Sequence, residues 1–329
     1  VQSGGSRMSP RISVVMSVFN SSRYLEESVQ SILAQTEPDF EFIIVNDGST
    51  DNSGELLTRF AAADHRVRLI EQENTGLTRA LIAGCSVASG KYIARQDDDD
   101  RSHPERLLRQ AEYLESHPEV GFVGCATRYM GPAGELLEQV TRDSDPEKAT
   151  RQLREERCGP PAHGGVMFRR DVYEQAGGYR AEFYLGQDSD LWLRMVEHSQ
   201  FSCLPDELYF FRRHSQSVSS RHREHQSALG WLSQDCRKAR AEGRPEGPYL
   251  QQAAEISDRV RQERLKANPS GIDLELNYLI GSRLAQAGQS EAFQYLWPVA
   301  LRKPWHWKAW ARLLEAYYRS LFREKITHG

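Results

Sequence analysis

Four aspartates in a row, Asp97–Asp100, stand one residue past the strand-like run Lys91-Tyr92-Ile93-Ala94-Arg95. Adjacent carboxylates repel one another, and a place at the end of a buried strand raises the cost of keeping them charged. A divalent cation removes the conflict: hard oxygen ligands suit Mg²⁺ or Mn²⁺, and the ion can then hold a diphosphate. The competing reading is a solvated acidic loop in which Asp100 and Ser102 cap a helix starting near His103 and Pro104. Two more polar turns follow β-branched runs. Ser17-Val18-Phe19-Asn20 and Asn46-Asp47-Gly48-Ser49 bring an aromatic ring, small polar groups and a further carboxylate.

The elements that must position these turns follow from periodicity. Residues 11–18, 40–46, 67–71 and 91–95 read as strands, and helices are expected over 22–35, 54–63 and 77–88. Strands alternating with helices at this spacing predict a doubly wound, mostly parallel α/β sheet with helices on both faces. In such a sheet ligands bind beyond the carboxyl ends of the strands, which is where all three polar turns lie. After residues 121–126 the rhythm changes. A hairpin is expected to turn at Gly131–Gly134, with strands at 166–170 and 207–214 around a helix at 188–199. From 222 the pattern is helical: 222–242, 249–267, 273–287, 290–301 and 305–322.

Composition bounds the class. A chain of 329 residues predicts roughly two domains at about 150 residues each. With 39% hydrophobic and 27% charged residues it holds enough apolar side chains for a core, which excludes disordered and fibrous classes. No apolar stretch approaches the roughly 18 residues of a membrane helix, and the first ten residues lack the apolar core of a secretion signal. Residues 1–8 read as a cloning remnant running up to a natural start at Met8. Five cysteines without a C-x-x-C pair predict reduced, mostly buried thiols in a cytoplasmic protein. Net charge is 42 − 46 = −4, which argues against a general nucleic-acid binder. Neither G-x-G-x-x-G after the first strand nor G-x-x-x-x-G-K-[ST] occurs, so any nucleotide must be held by carboxylates, a stacking ring and metal.

The segments SVVMSVFN, QSILAQTEPDFEFIIVNDGSTDNS and NTGLTRALIAGCSVASGKYIARQDDDDRSHPERL together resemble the GT-A, family 2 glycosyltransferases, over about residues 11–215. The resemblance implies transfer of a sugar from a nucleotide-diphosphate donor to an acceptor hydroxyl, with inversion at the anomeric carbon. It implies that Phe19 stacks on the base, Asp47 bonds the base edge, and Ser17 stands near the base where many members have proline. Arg79 approaches the base or phosphates and Asp98 the ribose. Asp99 binds the metal bridging the diphosphate, and Asp97 completes the D-x-D pattern, acting through water. Gly186-Gln187-Asp188-Ser189-Asp190 resembles the segment carrying the catalytic base, with Gln187 where the family usually has Glu. A sugar hydroxyl is a poor nucleophile, so a base must take its proton during attack. Asp188 fills that role by resemblance, with Asp190 as the member that helps start the helix. His214 resembles a late histidine that reaches the metal or diphosphate in some members, and His163 sits in the acceptor-loop region. No Q-x-x-R-W motif occurs, which weighs against a processive synthase.

The expected whole is a catalytic domain over 9–221 and an all-α domain over 222–329. The expected reaction is metal-dependent transfer of one sugar, from a UDP-sugar first among nucleotides, to a glycan or lipid-linked acceptor in surface polysaccharide assembly. Rival readings are a nucleotidyltransferase or phosphohydrolase using the same metal site, and an inactive sugar-nucleotide scaffold. Residues 226–329 carry 16 Lys/Arg against 11 Asp/Glu and five of the six tryptophans. Within them, 301–325 interleave seven Lys/Arg with Trp305, Trp307, Trp310, Tyr317, Tyr318 and Phe322. That pattern predicts either peripheral contact with the inner face of the membrane, or aromatics packed with Leu301, Leu313, Leu314 and Leu321 in the helical core or a homodimer.

Overall fold

A computed structural model describes residues 9–215, 223–266 and 273–327; the expected remnant at 1–8 lies outside them. Strands β1 (Ile12–Val18), β2 (Phe40–Asp47), β3 (Val67–Gln72) and β4 (Tyr92–Asp97) alternate with helices α1 (Leu25–Leu33), α2 (Ser53–Ala63) and α3 (Leu77–Ser86). There follow β5 (Arg101–Ser102), α4 (Arg106–Ser116), β6 (Val120–Met130), β7 (Leu136–Val140) and α5 (Pro146–Glu156). Next come β8 (Met167–Arg169), α6 (Arg170–Gln175), α7 (Gln187–Met195) and β9 (Gln200–Arg212). The remaining helices are α8 (Arg223–Ala241), α9 (Gly247–Lys266), α10 (Leu274–Gln286), α11 (Ala292–Arg302) and α12 (Trp307–Thr327).

The sheet runs β3-β2-β1-β4-β8-β6-β9-β5, with β7 beside β6. Its first half is parallel, as the alternating pattern requires. Strand β8 then pairs antiparallel with both β4 and β6, which makes the whole sheet mixed. Side chains alternate across β1. Val14, Met16 and Val18 join Leu25, Val29 and Ile32 of α1 and Leu107, Ala111 and Leu114 of α4 on one face. Val15, with Ile43 and Val45, joins Ala80, Leu81 and Cys85 of α3 and Leu191, Trp192 and Met195 of α7 on the other. Helix α3 lies so close that a Cβ on Gly84 would sit 2.6 Å from a Val15 methyl.

The chain divides into two compact units, and the division differs from the break expected at 221/222. The first unit holds the described residues of Val1–Thr127, Val140–Phe211 and Glu224–Lys266; the second holds those of Arg128–Gln139, Arg212–Arg223 and Ala267–Gly329. Helices α8 and α9 therefore belong with the sheet, for identifiable reasons. Ser257 Oγ of α9 donates to the Glu182 carbonyl at 2.7 Å and accepts the Tyr184 amide at 2.9 Å. Glu246 is gripped by Arg180 and Arg240, each at 2.6 Å, and the Arg157 guanidinium stacks over Trp231. The second unit has its own core of Ile280, Leu284, Leu296, Val299, Ala309 and Leu313, joined by Leu137 of the β6–β7 hairpin.

Candidate functional site

Strands β1, β2 and β4 end together, so their turns meet at one sheet edge; Ser17 lies in register with Asp97. Asp47, buried at the end of β2, is the most completely bonded carboxylate of the set. Its Oδ1 accepts from Gln72 Nε2 at 2.7 Å and the Thr75 amide at 2.8 Å, and its Oδ2 accepts the Gly76 amide at 2.8 Å. It thereby pins the 74–76 loop that opens α3. Gly76 has φ +91°, and a Cβ there would lie 2.3 Å from the Tyr184 ring, so this turn requires glycine. Arg79 is exposed on the first turn of α3, just beyond that loop. Phe19 lies just past β1 and is 41% exposed, which sets aside a core role and leaves its ring face open for stacking.

The acidic run behaves differently. Asp97 accepts from Arg95 Nη2 at 2.7 Å, and its backbone amide donates to the Tyr209 hydroxyl at 3.2 Å. Arg95 is wholly buried; it also donates to the carbonyls of Val15 and Gln96 and so anchors the end of β4. Burial pushes the Asp97 carboxyl above the usual carboxylate range, the Arg95 charge opposes this, and the charges of Asp99 and Asp188 add to it. Half-buried Asp98 is raised well above its ordinary value, by desolvation first and then by Asp99 and Asp97. Its Oδ2 meets the Phe19 amide at 3.4 Å, which ties the acidic loop to the aromatic one.

The capping role expected of Asp100 and Ser102 is not what the structure shows. The residue before α4 is Glu105, whose side chain makes no cap bond; Gln35 Oε1 accepts the Leu107 amide at 2.9 Å, and Ser102 Oγ donates to Gln96 Oε1 at 2.7 Å. Asp100 is buried, so the run is not a solvated loop. Asp97, Asp98 and Asp99 stay partly exposed, with the buried Arg95 and Arg106 behind the end of β4.

Asp188 lies in the first turn of α7, after Gly186 at φ +68°. Its Oδ1 accepts the Ser189 amide at 2.8 Å, and burial raises its carboxyl above the ordinary range. Gly186, not Asp188, occupies the N-cap position of α7. Asp190 is buried and committed elsewhere: its Oδ2 accepts Arg194 Nε at 3.0 Å and Nη2 at 2.6 Å, with Arg180 3.7 Å from Oδ1. His163 bonds the Tyr179 hydroxyl at 2.7 Å, edge-on to Trp192, and burial with the Arg95 charge holds its imidazole neutral well below the usual range. His214 lies two residues past the end of β9.

Three supporting residues escape motif reading. Arg95 and Tyr209 hold Asp97 from behind. Gly164 lies against both Tyr209 and Asp97: a Cβ there would stand 1.8 Å from the Tyr209 hydroxyl and 2.8 Å from Asp97 Oδ2. The glycine pair in Ala162-His163-Gly164-Gly165 was the available signal.

The donor set suits a hard divalent ion, since crowded carboxylates with raised pKa values are what such a cation relieves. Among the described residues no three or more His, Cys, Asp or Glu side chains converge to hold an ion by themselves. One or two carboxylates with diphosphate and water completing the shell is the arrangement Mg²⁺ commonly takes. All five cysteines are free, and no described helix is long and apolar enough to cross a membrane.

Comparison with known proteins adds to this geometry. The family model described as "Glycosyl transferase family 2" matches residues 13–177. The O-antigen biosynthesis glycosyltransferase WbnJ of Escherichia coli is 32% identical over 216 residues, covering 64% of this chain and 83% of its own. Among solved structures, S. aureus TarS 1–349 in complex with UDP aligns with TM-score 0.55 at 15% identity, covering 97% of this chain and 92% of that one. The mannosyltransferase PcManGT from Pyrobaculum calidifontis, in complex with GDP-Man and Mn²⁺, aligns with TM-score 0.53 at 20% identity, covering 96% and 88%. At those identities the two structures establish a shared fold.

Proposed function

The chain belongs to glycosyl transferase family 2, and on that premise we propose that it is an inverting, metal-dependent enzyme transferring one sugar from a UDP-sugar to a hydroxyl of a growing surface glycan or its lipid-linked precursor. One observation carries the reading. The 163–165 turn links the acidic loop to α7: a Cβ on Gly164 would stand 2.8 Å from Asp97 Oδ2, the His163 ring meets Trp192 of α7 edge-on at 5.8 Å, and the Asp188 charge helps raise the Asp97 carboxyl. That proximity supports a base working beside a diphosphate site.

In this reading Phe19 stacks on the uracil, with Ser17 and Asp47 beside it and Arg79 at the phosphates. Asp98 lies at the ribose. Asp99 would be the direct metal ligand, Asp97 would contribute through water, and His214 is a further candidate ligand. Bound Mn²⁺ or Mg²⁺ supplies Lewis-acid stabilisation of the departing diphosphate. Asp188 accepts the acceptor hydroxyl proton as the oxygen attacks the anomeric carbon. The glycosidic C–O bond breaks on the opposite side and its electron pair leaves with the nucleoside diphosphate. The raised pKa of Asp188 suits the task, because a base nearer neutrality takes a proton more readily than an ordinary carboxylate. Gln187 removes the neighbouring charge that would raise Asp188 further.

The name of WbnJ supports a polysaccharide acceptor, and the UDP and GDP-Man complexes of the structural neighbours support a nucleotide-sugar donor. Thermal-shift measurement with UDP-, GDP- and dTDP-sugars, each with and without Mn²⁺, tests the donor, because a ligand bound only to the folded state raises its melting temperature. A rise confined to a UDP-sugar with Mn²⁺ is expected. No rise with any nucleotide sugar would overturn the reading, and nucleotidyl transfer or bare phosphate release in product analysis would favour the rival chemistry.

A further inference from the structure

Helices α11 and α12 carry an aromatic face that their own fold does not use. The second unit closes its core with Leu296, Val299, Ala300, Ala309, Leu313 and Ala316. The tryptophans, expected in part to fill that core, stay outside: Trp305 is 78% and Trp307 70% exposed, and Leu301 and Leu314 are exposed with them. Trp297 and Trp310 meet edge to face at 5.9 Å. With Phe293, Pro298, Leu314 and Tyr317 they line an open apolar groove of about 820 Å³.

The charge along this stretch of sequence is mainly positive. From Ala292 to Arg319 the sequence holds five cations, Arg302, Lys303, Lys308, Arg312 and Arg319, against the single acid Glu315. Glu315 is paired with both Arg312 and Arg319, so it presents little free negative charge. Arg302 and Lys308 are exposed among the tryptophans, with Lys308 Nζ 5.9 Å from the Trp307 ring.

We propose that this face docks on an anionic lipid bilayer. Tryptophan and tyrosine favour the headgroup level, where one end of the ring is apolar and the other wet. Lys and Arg beside them are drawn to anionic headgroups, and an amphipathic helix lies in that interface with its apolar side inward. Charge decides between occupants: a second copy would bring the same cationic face against itself, whereas an anionic membrane complements it. The inference deepens the proposed acceptor, since a docked enzyme meets lipid-linked acceptors at the surface. It is read by binding alone, without donor or acceptor.

The test is co-sedimentation of the full chain with phosphatidylglycerol-containing vesicles and with pure phosphatidylcholine vesicles, at low salt and at about 0.5 M NaCl. Binding to the anionic vesicles at low salt, and its loss at high salt, is expected. Two double variants at exposed positions, Trp305→Ser with Trp307→Ser and Arg302→Glu with Lys308→Glu, should each weaken binding at least about tenfold. Their melting temperatures should match the parent, which excludes unfolding as the cause. Retention of the parent protein in the supernatant at low salt overturns the proposal. So does equal binding by the parent and both variants. A concentration-dependent dimer that the tryptophan variant abolishes, with no vesicle binding, assigns the face to a second copy and overturns it too.

Discussion

Asp47 and Asp98 stand at the same edge of one sheet and meet opposite surroundings. Asp47 receives the Gln72 amide, two backbone N–H groups and a threonine hydroxyl, so its charge is matched within the fold. Asp98 meets one long amide contact, the Ser21 side chain and the charges of Asp97 and Asp99, and its carboxyl is driven well up. Carboxylates of the first kind hold a loop in place. Those of the second kind carry a desolvation cost, to which neighbouring charges add at Asp98, while at Asp188 burial alone raises the carboxyl. The fold satisfies Asp47 and leaves Asp98 with a desolvation and repulsion cost.

Replacement of Asp188 should have the largest effect. Asp188→Asn should lower turnover by about 10²–10⁴ while donor affinity stays near the parent value, read by steady-state kinetics beside calorimetry. The pH dependence carries a sign. Activity needs the ionised carboxylate, so the acid limb of the parent rate profile should lie above the ordinary carboxylate range, and the variant should lose that limb. Because the folded carboxyl keeps its proton to higher pH than the unfolded one, ionising it lowers stability as pH rises from about 4 through the raised value. Asp188→Asn should flatten that decline in a melting series. A residual rate above that range would move the base to another residue.

Asp99→Ala comes next. Titration of UDP with Mn²⁺ should show the metal-dependent part of binding abolished, with the melting temperature of the ligand-free protein unchanged or raised. Unaltered affinity would remove Asp99 as the direct ligand.

Asp47→Ala should reverse that pattern and cost the ligand-free protein about 2–4 kcal/mol in urea unfolding, since it strands the buried amides of Thr75 and Gly76. The smallest effect is expected for Asp98→Asn, which should leave the ligand-free protein as stable as the parent or up to about 1 kcal/mol more so, because it deletes a repelled charge. Equal losses for Asp47→Ala and Asp98→Asn would erase the contrast between the two carboxylates.

What the sequence disclosed follows from where the information lies along the chain. The parallel strands are short β-branched runs buried on both faces, and such runs are read locally; Ile12–Val18 and Phe40–Asp47 fall within a residue of their expected bounds. Helix α5 (Pro146–Glu156) went unassigned because it buries only Ala149, Thr150 and Leu153, although Asp145 before Pro146 is a cap-and-start signal that the structure uses. The motif residues were legible as types at a spacing. Their supports were not: Tyr209 lies 112 positions from Asp97, and only the antiparallel return of the chain makes them neighbours. The shift toward Trp and basic residues after 225 pointed to a domain break, yet α8 and α9 are polar because one side of each faces solvent, and they still pack on the first unit.

The seat of α9 has a practical meaning for anyone shortening this protein. Ser257 bridges Glu182 and Tyr184, just ahead of α7, and Arg261 reaches the Asn74 carbonyl in the loop that Asp47 pins. A version ended at residue 221 keeps every family motif in its sequence but loses the brace behind both loops, so it would look complete on paper and work poorly at the bench. The same brace limits tail exchange between relatives: a foreign tail must bring its own partner for the backbone at 182–184, whatever acceptor or surface it was chosen to recognise.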